Sequence, residues 1–339
     1  MLMEIDNLSV RYNTREGALH AAENVSLTIG QDEVLGIAGE SGCGKTTLIK
    51  ALIRLLPGSA TVTADKLTHK GLNLLALSDA EFRKQIIWNE IALVPQSAQA
   101  SLNPVYRVGD QVVEAIQAHA DHSKAQARER VAEVFDLVGL QPDLMNAYPH
   151  EFSGGMRQRA MIAMALVLEP SLIVMDEPTT GLDVLVQERI IRNIKELRGR
   201  IGSSILLITH DIAVIAEMSD RIAIMYGGQI MEVAPAIELF ENAAHPYTLG
   251  LKNAFPSIKQ LGKELISIPG SPPVLMGGLG GCPFAARCPF VEARCRAERP
   301  DFTQIGPDHR AACHRIDDAE MMRNKSSEKA TWLSSTSTA

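Results

Sequence analysis

Two stretches of this sequence carry residues whose types and spacing could handle a phosphorylated ligand. Gly39-Glu40-Ser41-Gly42-Cys43-Gly44-Lys45-Thr46-Thr47 fits the pattern G-x-x-x-x-G-K-[ST] of a phosphate-binding loop. Glycines let backbone N–H groups close round phosphate oxygens, and a helix N-terminus behind them adds positive potential. Lys45 would reach the terminal phosphates and the Thr46 hydroxyl would ligate Mg²⁺. The second stretch, Leu172-Ile173-Val174-Met175-Asp176-Glu177, is an aliphatic run ending in two acids. Asp176 suits a Mg²⁺ shell, and Glu177 could orient or deprotonate an attacking water. A plain glycine-rich turn and a solvated turn before Pro178 are the simpler alternatives. The apolar run Glu33–Ala38 before the loop and the helical pattern Lys45–Leu56 after it favour the chemical reading. Cys43 reads as a small loop residue, because no base is spaced to activate it. His210, which follows the aliphatic run Ile205–Thr209, could be structural; a place at the same sheet edge as the acids favours contact with a γ-phosphate.

A different chemistry is suggested near the C-terminus, where Cys282, Cys288, Cys295 and Cys313 crowd together with spacing C-x5-C-x6-C-x17-C. Structural zinc sites favour C-x2–4-C pairs, which are absent. Four thiolates can hold an iron–sulfur cluster with looser spacing, and free thiols are the third alternative. His309 and His314 lie close by and read as solvated surface residues.

The elements needed to position these groups are legible as an α/β pattern. Leu2–Val10 and Ala21–Ile29 are strand-like, as is Glu33–Ala38. Residues 112–168 read mostly as helix, with amphipathic spacing at Val131, Val134, Phe135 and Val138. The unbroken runs Leu172–Met175 and Ile205–Ile208 suit parallel strands covered on both faces, and Arg221–Tyr226 leads into a Gly227-Gly228 turn. We expect a nucleotide-binding domain over 1–255 with a helical subdomain at 97–170, a four-cysteine extension over 256–320, and a disordered tail over 321–339. The chain has 339 residues and a net charge of −7, which disfavours nucleic-acid binding. Its N-terminus lacks a signal-peptide layout, and the apolar stretch 161–175 is cut by Glu169-Pro170. A soluble, intracellular protein is the expectation.

Taken in order, the motifs resemble the ATP-binding cassette (ABC) family over about the first 250 residues. Phe152-Ser153-Gly154-Gly155-Met156-Arg157-Gln158-Arg159 looks like its signature loop, Gln96 like its Q-loop glutamine, Tyr12 like the aromatic that stacks on adenine, and Gly181-Leu182-Asp183 like its D-loop. The resemblance implies a P-loop cassette with a mixed sheet core and helical subdomain, followed by a small cysteine-containing C-terminal module. It implies ATP and Mg²⁺ as ligands, with Thr46, Gln96 and Asp176 around the metal and Glu177 and His210 as the catalytic pair. It also implies a head-to-tail dimer in which Ser153–Met156 binds the ATP of the partner subunit. Ser-Gly-Gly ahead of a helix presents a hydroxyl, bare N–H groups and a helix dipole, which suits that role; a helix cap by Ser153 is compatible with it.

A narrower resemblance is to the oligopeptide/dipeptide importer subfamily. It rests on Ser101-Leu102-Asn103-Pro104, Met156 in the signature, His245-Pro246-Tyr247-Thr248, and Gly281-Cys282-Pro283-Phe284-Ala285-Ala286-Arg287-Cys288-Pro289. It implies a second, non-identical ATPase subunit, two transmembrane permeases, an external binding protein, and a peripheral place on the cytoplasmic face of the membrane. Some ATPases of this type carry a [4Fe–4S] cluster on such cysteines. Nickel or oligosaccharide uptake is the neighbouring alternative. A non-transport ABC ATPase of DNA repair or translation fits less well, since long heptad insertions and a second cassette are both missing.

Overall fold

The computed structural model describes residues 1–96, 98–254, 266–277 and 280–333. The chain forms two compact units whose segments alternate along the sequence: Met1–Met3, Ile29–Val34 and Thr68–Ile208 in the first, Glu4–Thr28, Leu35–Leu67 and Thr209 onward in the second.

In the first unit the strands Ile91–Val94, Leu172–Asp176 and Ser204–Ile208 run parallel, with Val94 opposite Met175 and Asp176 opposite Ile208. Every residue of the latter two strands is buried, which is why they read as unbroken aliphatic runs. The expected helical stretch is divided into Val108–His119, Lys124–Leu137 and Gly154–Leu166. Ser123 and Gln126 form a reciprocal capping box that starts the middle helix. Ala127, Val131, Val134 and Phe135 make its buried stripe. Two short 3₁₀ turns, Pro142–Asn146 and Pro149–Glu151, fill the interval before Ser153.

In the second unit Val34–Ala38 pairs in parallel with Arg221–Tyr226, bringing Ala38 opposite Ile224. Beyond it the sheet turns antiparallel through Gln229–Pro235, His309–Ala312 and Phe302–Gly306. The cysteine-bearing residues therefore do not stand apart as a module: one of their strands extends the sheet of the unit that contains the phosphate loop. Tyr226, Tyr247, Phe284 and Trp332 are buried in one cluster, with Phe284 edge-on to Tyr226 at 5.2 Å between ring centroids.

The tail expected to be disordered from 321 is instead helical over Ala319–Ser326 and Lys329–Leu333. Trp332, only 1% exposed, anchors it, and its Nε1 donates to Ser326 O at 2.9 Å. The Ser/Thr/Lys composition concealed this anchor, because one buried indole outweighs several solvated neighbours. Residues 334–339 of that expectation lie outside the described residues, as do 255–265 around the expected boundary at 255. Among the described residues no helix is long and apolar enough to cross a membrane.

Candidate functional site

The phosphate loop leaves the end of the Val34–Ala38 strand and enters the helix Lys45–Leu52. Its glycines are required by close approach. A Cβ at Gly39 would meet Met225 O at 2.1 Å, and one at Gly44, where φ is +109°, would meet Ala21 O at 2.2 Å. Ser41 and Gly42 are exposed at the tip, Cys43 is buried below it, and Thr46 and Thr47 are half-buried on the first helical turn. Lys45 is 6% exposed, and its Nζ donates to Gly39 O at 2.7 Å and Glu40 O at 3.0 Å. The ammonium thus sits over the loop, where a phosphate would be met by one full positive charge and several N–H groups. Burial pushes the Cys43 thiol upward, against the opposing pull of Lys45, which agrees with a packing role for this residue. Tyr12 is half-buried on the strand Met3–Thr14, opposite Ala60. His210 is exposed, just before Asp211, whose N–H donates to Thr209 Oγ1 and whose carboxylate caps the helix Ile212–Met218.

In the first unit the carboxyl ends of the parallel strands bring Gln96 to Glu177. Gln96 Nε2 donates to Glu177 Oε2 at 2.7 Å, and Thr180 Oγ1 donates to the same oxygen at 2.9 Å. Glu177 has φ of +49°, an unfavourable backbone for a non-glycine residue, and its N–H is tied to Ile208 O at 2.8 Å. Asp176 ends its strand with 6% exposure. Thr180 is a member of this group that sequence reasoning missed; the Thr-Thr pair after Pro178 was the available signal.

Ser153 caps the helix Gly154–Leu166 by accepting from Met156 N–H at 3.3 Å. Ser153 is exposed, Gly154 and Met156 are half-buried, and Gly155 is buried where a Cβ would meet Val186 Cγ1 at 2.6 Å. Asp183 caps the helix that carries Val186, accepting from its N–H at 3.0 Å. Gly155 therefore packs against the helix that Asp183 caps, within one unit.

The four C-terminal cysteines converge on one small apolar cavity of about 20 Å³, also lined by His245, Phe284 and Phe290. Burial pushes the Cys282 thiol up to about 11 and the Cys313 thiol up to about 12, and Cys288 is raised as well. Burial is the largest cause for each, and the neighbouring thiols add to it. Among the described residues no group of three or more His, Cys, Asp or Glu side chains is arranged to hold a metal ion. That observation supports neither the zinc nor the iron–sulfur alternative, and both rest on the convergence of the four thiols alone. His309 corrects an expectation outright. It is 2% exposed, with Nε2 2.8 Å from Glu232 Oε1, whereas His314 Nε2 lies 3.0 Å from Glu298 O.

Sequence reasoning also missed the residues that brace the phosphate loop from the C-terminal side. Arg287 grips Glu40 with both ends of its guanidinium, Nη1 to Oε2 at 2.8 Å and Nη2 to Oε1 at 3.1 Å. The Glu40 N–H donates to Tyr247 Oη at 2.9 Å. Both residues stood in the quoted motifs, with nothing local to say what they would touch.

Comparison with known proteins agrees with these motifs. Residues 22–180 match the family described as ABC transporter, and residues 231–295 match the oligopeptide/dipeptide transporter C-terminal region. The chain is 43% identical to a probable peptide ABC transporter ATP-binding protein, y4tR, of Sinorhizobium fredii, covering 93% of this chain and 95% of that protein. It is 39% identical to the dipeptide transport ATP-binding protein DppD of Escherichia coli, covering 94% of this chain and 98% of that protein. A solved dimeric structure of the ATP-binding cassette MJ0796, in a post-hydrolysis state bound to ADP and Pi, matches with a TM-score of 0.61. That match has 28% identity and covers 69% of this chain and 98% of that one. The fold is accordingly that of an ABC cassette ATPase, and the chain belongs to the ABC transporter family, among its oligopeptide and dipeptide transport ATP-binding proteins.

Proposed function

We propose that this chain is one ATP-hydrolysing subunit of a membrane importer for dipeptides or oligopeptides. What carries the reading is found in each unit by itself: the Gln96–Glu177–Thr180 cluster at the strand ends of one, and a formed phosphate loop with a buried Lys45 in the other. The peptide cargo is inferred from relatives named as dipeptide and oligopeptide transport ATP-binding proteins. Nickel or oligosaccharide uptake is the alternative to exclude.

In this reading Gly39–Thr47 holds the phosphates of ATP, Tyr12 stacks on adenine, and Glu177, with His210, acts on the water that attacks the γ-phosphate. Thr46, Gln96 and Asp176 are the proposed Mg²⁺ ligands. They are all oxygen donors, as this hard cation prefers. When bound, Mg²⁺ would neutralise charge on the β- and γ-phosphate oxygens. Ser153–Met156, with Asp183 beside it, faces the ATP of a second, non-identical cassette subunit, so that two ATP molecules are held between two chains. ATP closes the pair, and loss of the γ-phosphate lets it open.

The remaining partners are two permeases and an extracytoplasmic binding protein, with this chain peripheral at the cytoplasmic face. A [4Fe–4S] cluster on Cys282, Cys288, Cys295 and Cys313 is the finer reading of the C-terminal cavity, and it draws only on the convergence of the four thiols. Iron and acid-labile sulfide analysis of anaerobically purified protein tests it.

The deciding experiment reconstitutes the chain with its cognate permeases, second ATPase and binding protein, and measures uptake of labelled peptides, Ni²⁺ and oligosaccharides. ATP-dependent peptide uptake that stops with Lys45→Ala is expected. Uptake of another cargo alone would overturn the peptide assignment, and uptake unaffected by Lys45→Ala would overturn the motor role.

A further inference from the structure

Glu40 lies inside the phosphate loop, between Gly39 and Ser41, and three of its groups are held by other residues. Its carbonyl accepts from Lys45 Nζ, its N–H donates to Tyr247, and its carboxylate is clasped by Arg287. Arg287 is 7% exposed, and the remaining donors of its guanidinium are also placed. Nε donates to Pro269 O at 2.8 Å, Nη1 to Tyr226 Oη at 3.1 Å and Nη2 to Ile268 O at 3.2 Å. All five N–H groups of the guanidinium therefore have acceptors, so this planar fork has one orientation. The backbone beneath it is fixed as well, since Arg287 N–H donates to Phe284 O at 3.0 Å and Phe284 packs against Tyr226 and Tyr247.

We infer that Arg287 is a positioning residue of the phosphate loop, through which the C-terminal segment sets the loop's shape and charge for ATP. The inference rests on the proposed role of Gly39–Thr47 in binding ATP. Two physical effects follow from the one contact. A loop held in its binding shape loses less entropy when a ligand arrives. An unneutralised Glu40 carboxylate would also stand among the N–H groups offered to a polyanion and repel it. Arg287 supplies the shape by its bidentate fork and the neutralisation by its charge.

The test uses the full chain and titrates MgATP and MgADP with a fluorescent nucleotide competitor, with thermal unfolding in the absence of nucleotide as the check on folding. Arg287→Met is expected to weaken MgATP binding about 10-fold or more, as loss of a charge-assisted bidentate contact should. MgADP, with less negative charge, should lose less. Adding Glu40→Gln to Arg287→Met should recover affinity to within about 3-fold of Glu40→Gln alone, because the repelling charge is gone. Arg287→Lys, which keeps the charge but not the fork, should lose about 3-fold and also serves if Arg287→Met fails to fold. Unchanged MgATP affinity in a folded Arg287→Met or Arg287→Lys protein would overturn the inference. So would a double variant as weak as Arg287→Met. Lys45→Ala run in parallel separates the two readings: if it too leaves affinity intact, the loop itself does not bind the nucleotide.

Discussion

Glu177 Oε2 receives two hydrogen bonds, from Gln96 Nε2 at 2.7 Å and from Thr180 Oγ1 at 2.9 Å. The backbone of Glu177 is held in a left-handed conformation, with its N–H bound to Ile208 O. Backbone strain at one residue, compensated by three contacts around it, is the arrangement expected where a carboxylate must point in one direction. Gln96 follows the Ile91–Val94 strand and Glu177 the Leu172–Asp176 strand, so parallel pairing is what makes them neighbours.

Replacing Glu177 by Gln keeps the side-chain shape and removes its basicity. MgATP affinity should stay within about 3-fold, while hydrolysis by the assembled pair falls about 10²–10⁴-fold, the usual contribution of a positioned base. Phosphate release and nucleotide retention on gel filtration measure both. Turnover at the parent rate would remove Glu177 from its role.

Ser153→Arg places a bulky cation where the signature loop presents its hydroxyl. In the assembled pair it should slow turnover at the site whose phosphate loop belongs to the other chain, by about 10-fold or more, as loss of a preorganised donor does. Binding of ATP to this chain alone should be unaffected. Equal loss at both composite sites, read with a Lys45→Ala block on one chain at a time, would contradict the facing arrangement.

His245 gives a pH dependence whose sign can be worked out. It is fully buried, and burial lowers its pKa from 6.5 to about 4, against the opposing charge of Glu232. Its Nδ1 accepts from Tyr247 N–H at 3.0 Å, so the folded protein holds the ring neutral. The unfolded chain binds this proton below pH 6.5 and the folded chain only below about pH 4. Stability should therefore fall as pH drops through that window, by on the order of 3 kcal/mol in total. Urea midpoints of the parent and of His245→Gln, followed from pH 7 to pH 4, isolate the contribution. Parallel curves would refute the assignment.

Trp332→Ala tests whether the C-terminal helices belong to the core. Trp332 packs in the cluster with Tyr226, Tyr247 and Phe284, close enough to Gly250 that a Cβ there would meet its Cη2 at 2.6 Å. Truncating it should cost about 3–5 kcal/mol in urea unfolding, the range for a large buried aromatic. A loss below about 0.5 kcal/mol, the size expected of a surface change, would mean the tail contributes nothing.

The elements that can be read from the sequence are those whose chemistry is contiguous. A phosphate is held by successive backbone N–H groups, so Gly39–Thr47 must appear as one string. A parallel strand covered on both faces must be aliphatic throughout, so Leu172–Asp176 and Ser204–Ile208 stand out, together with the acids that follow the first. Ser153 was likewise visible as a cap, because a cap acts on N–H groups two or three residues away, whereas the cap at Asp183 emerged only in the folded chain. What the folded chain alone decided are pairings that span the sequence. Arg287 and Glu40 are 247 positions apart, and His309 and Glu232 are 77 apart. Neither pair has a periodic or local signature, since their meeting depends on strands and loops that assemble only when the core closes. The convergence of the four thiols and the burial of Trp332 follow from the same closure, which turned an apparent appendage into a brace against the phosphate loop.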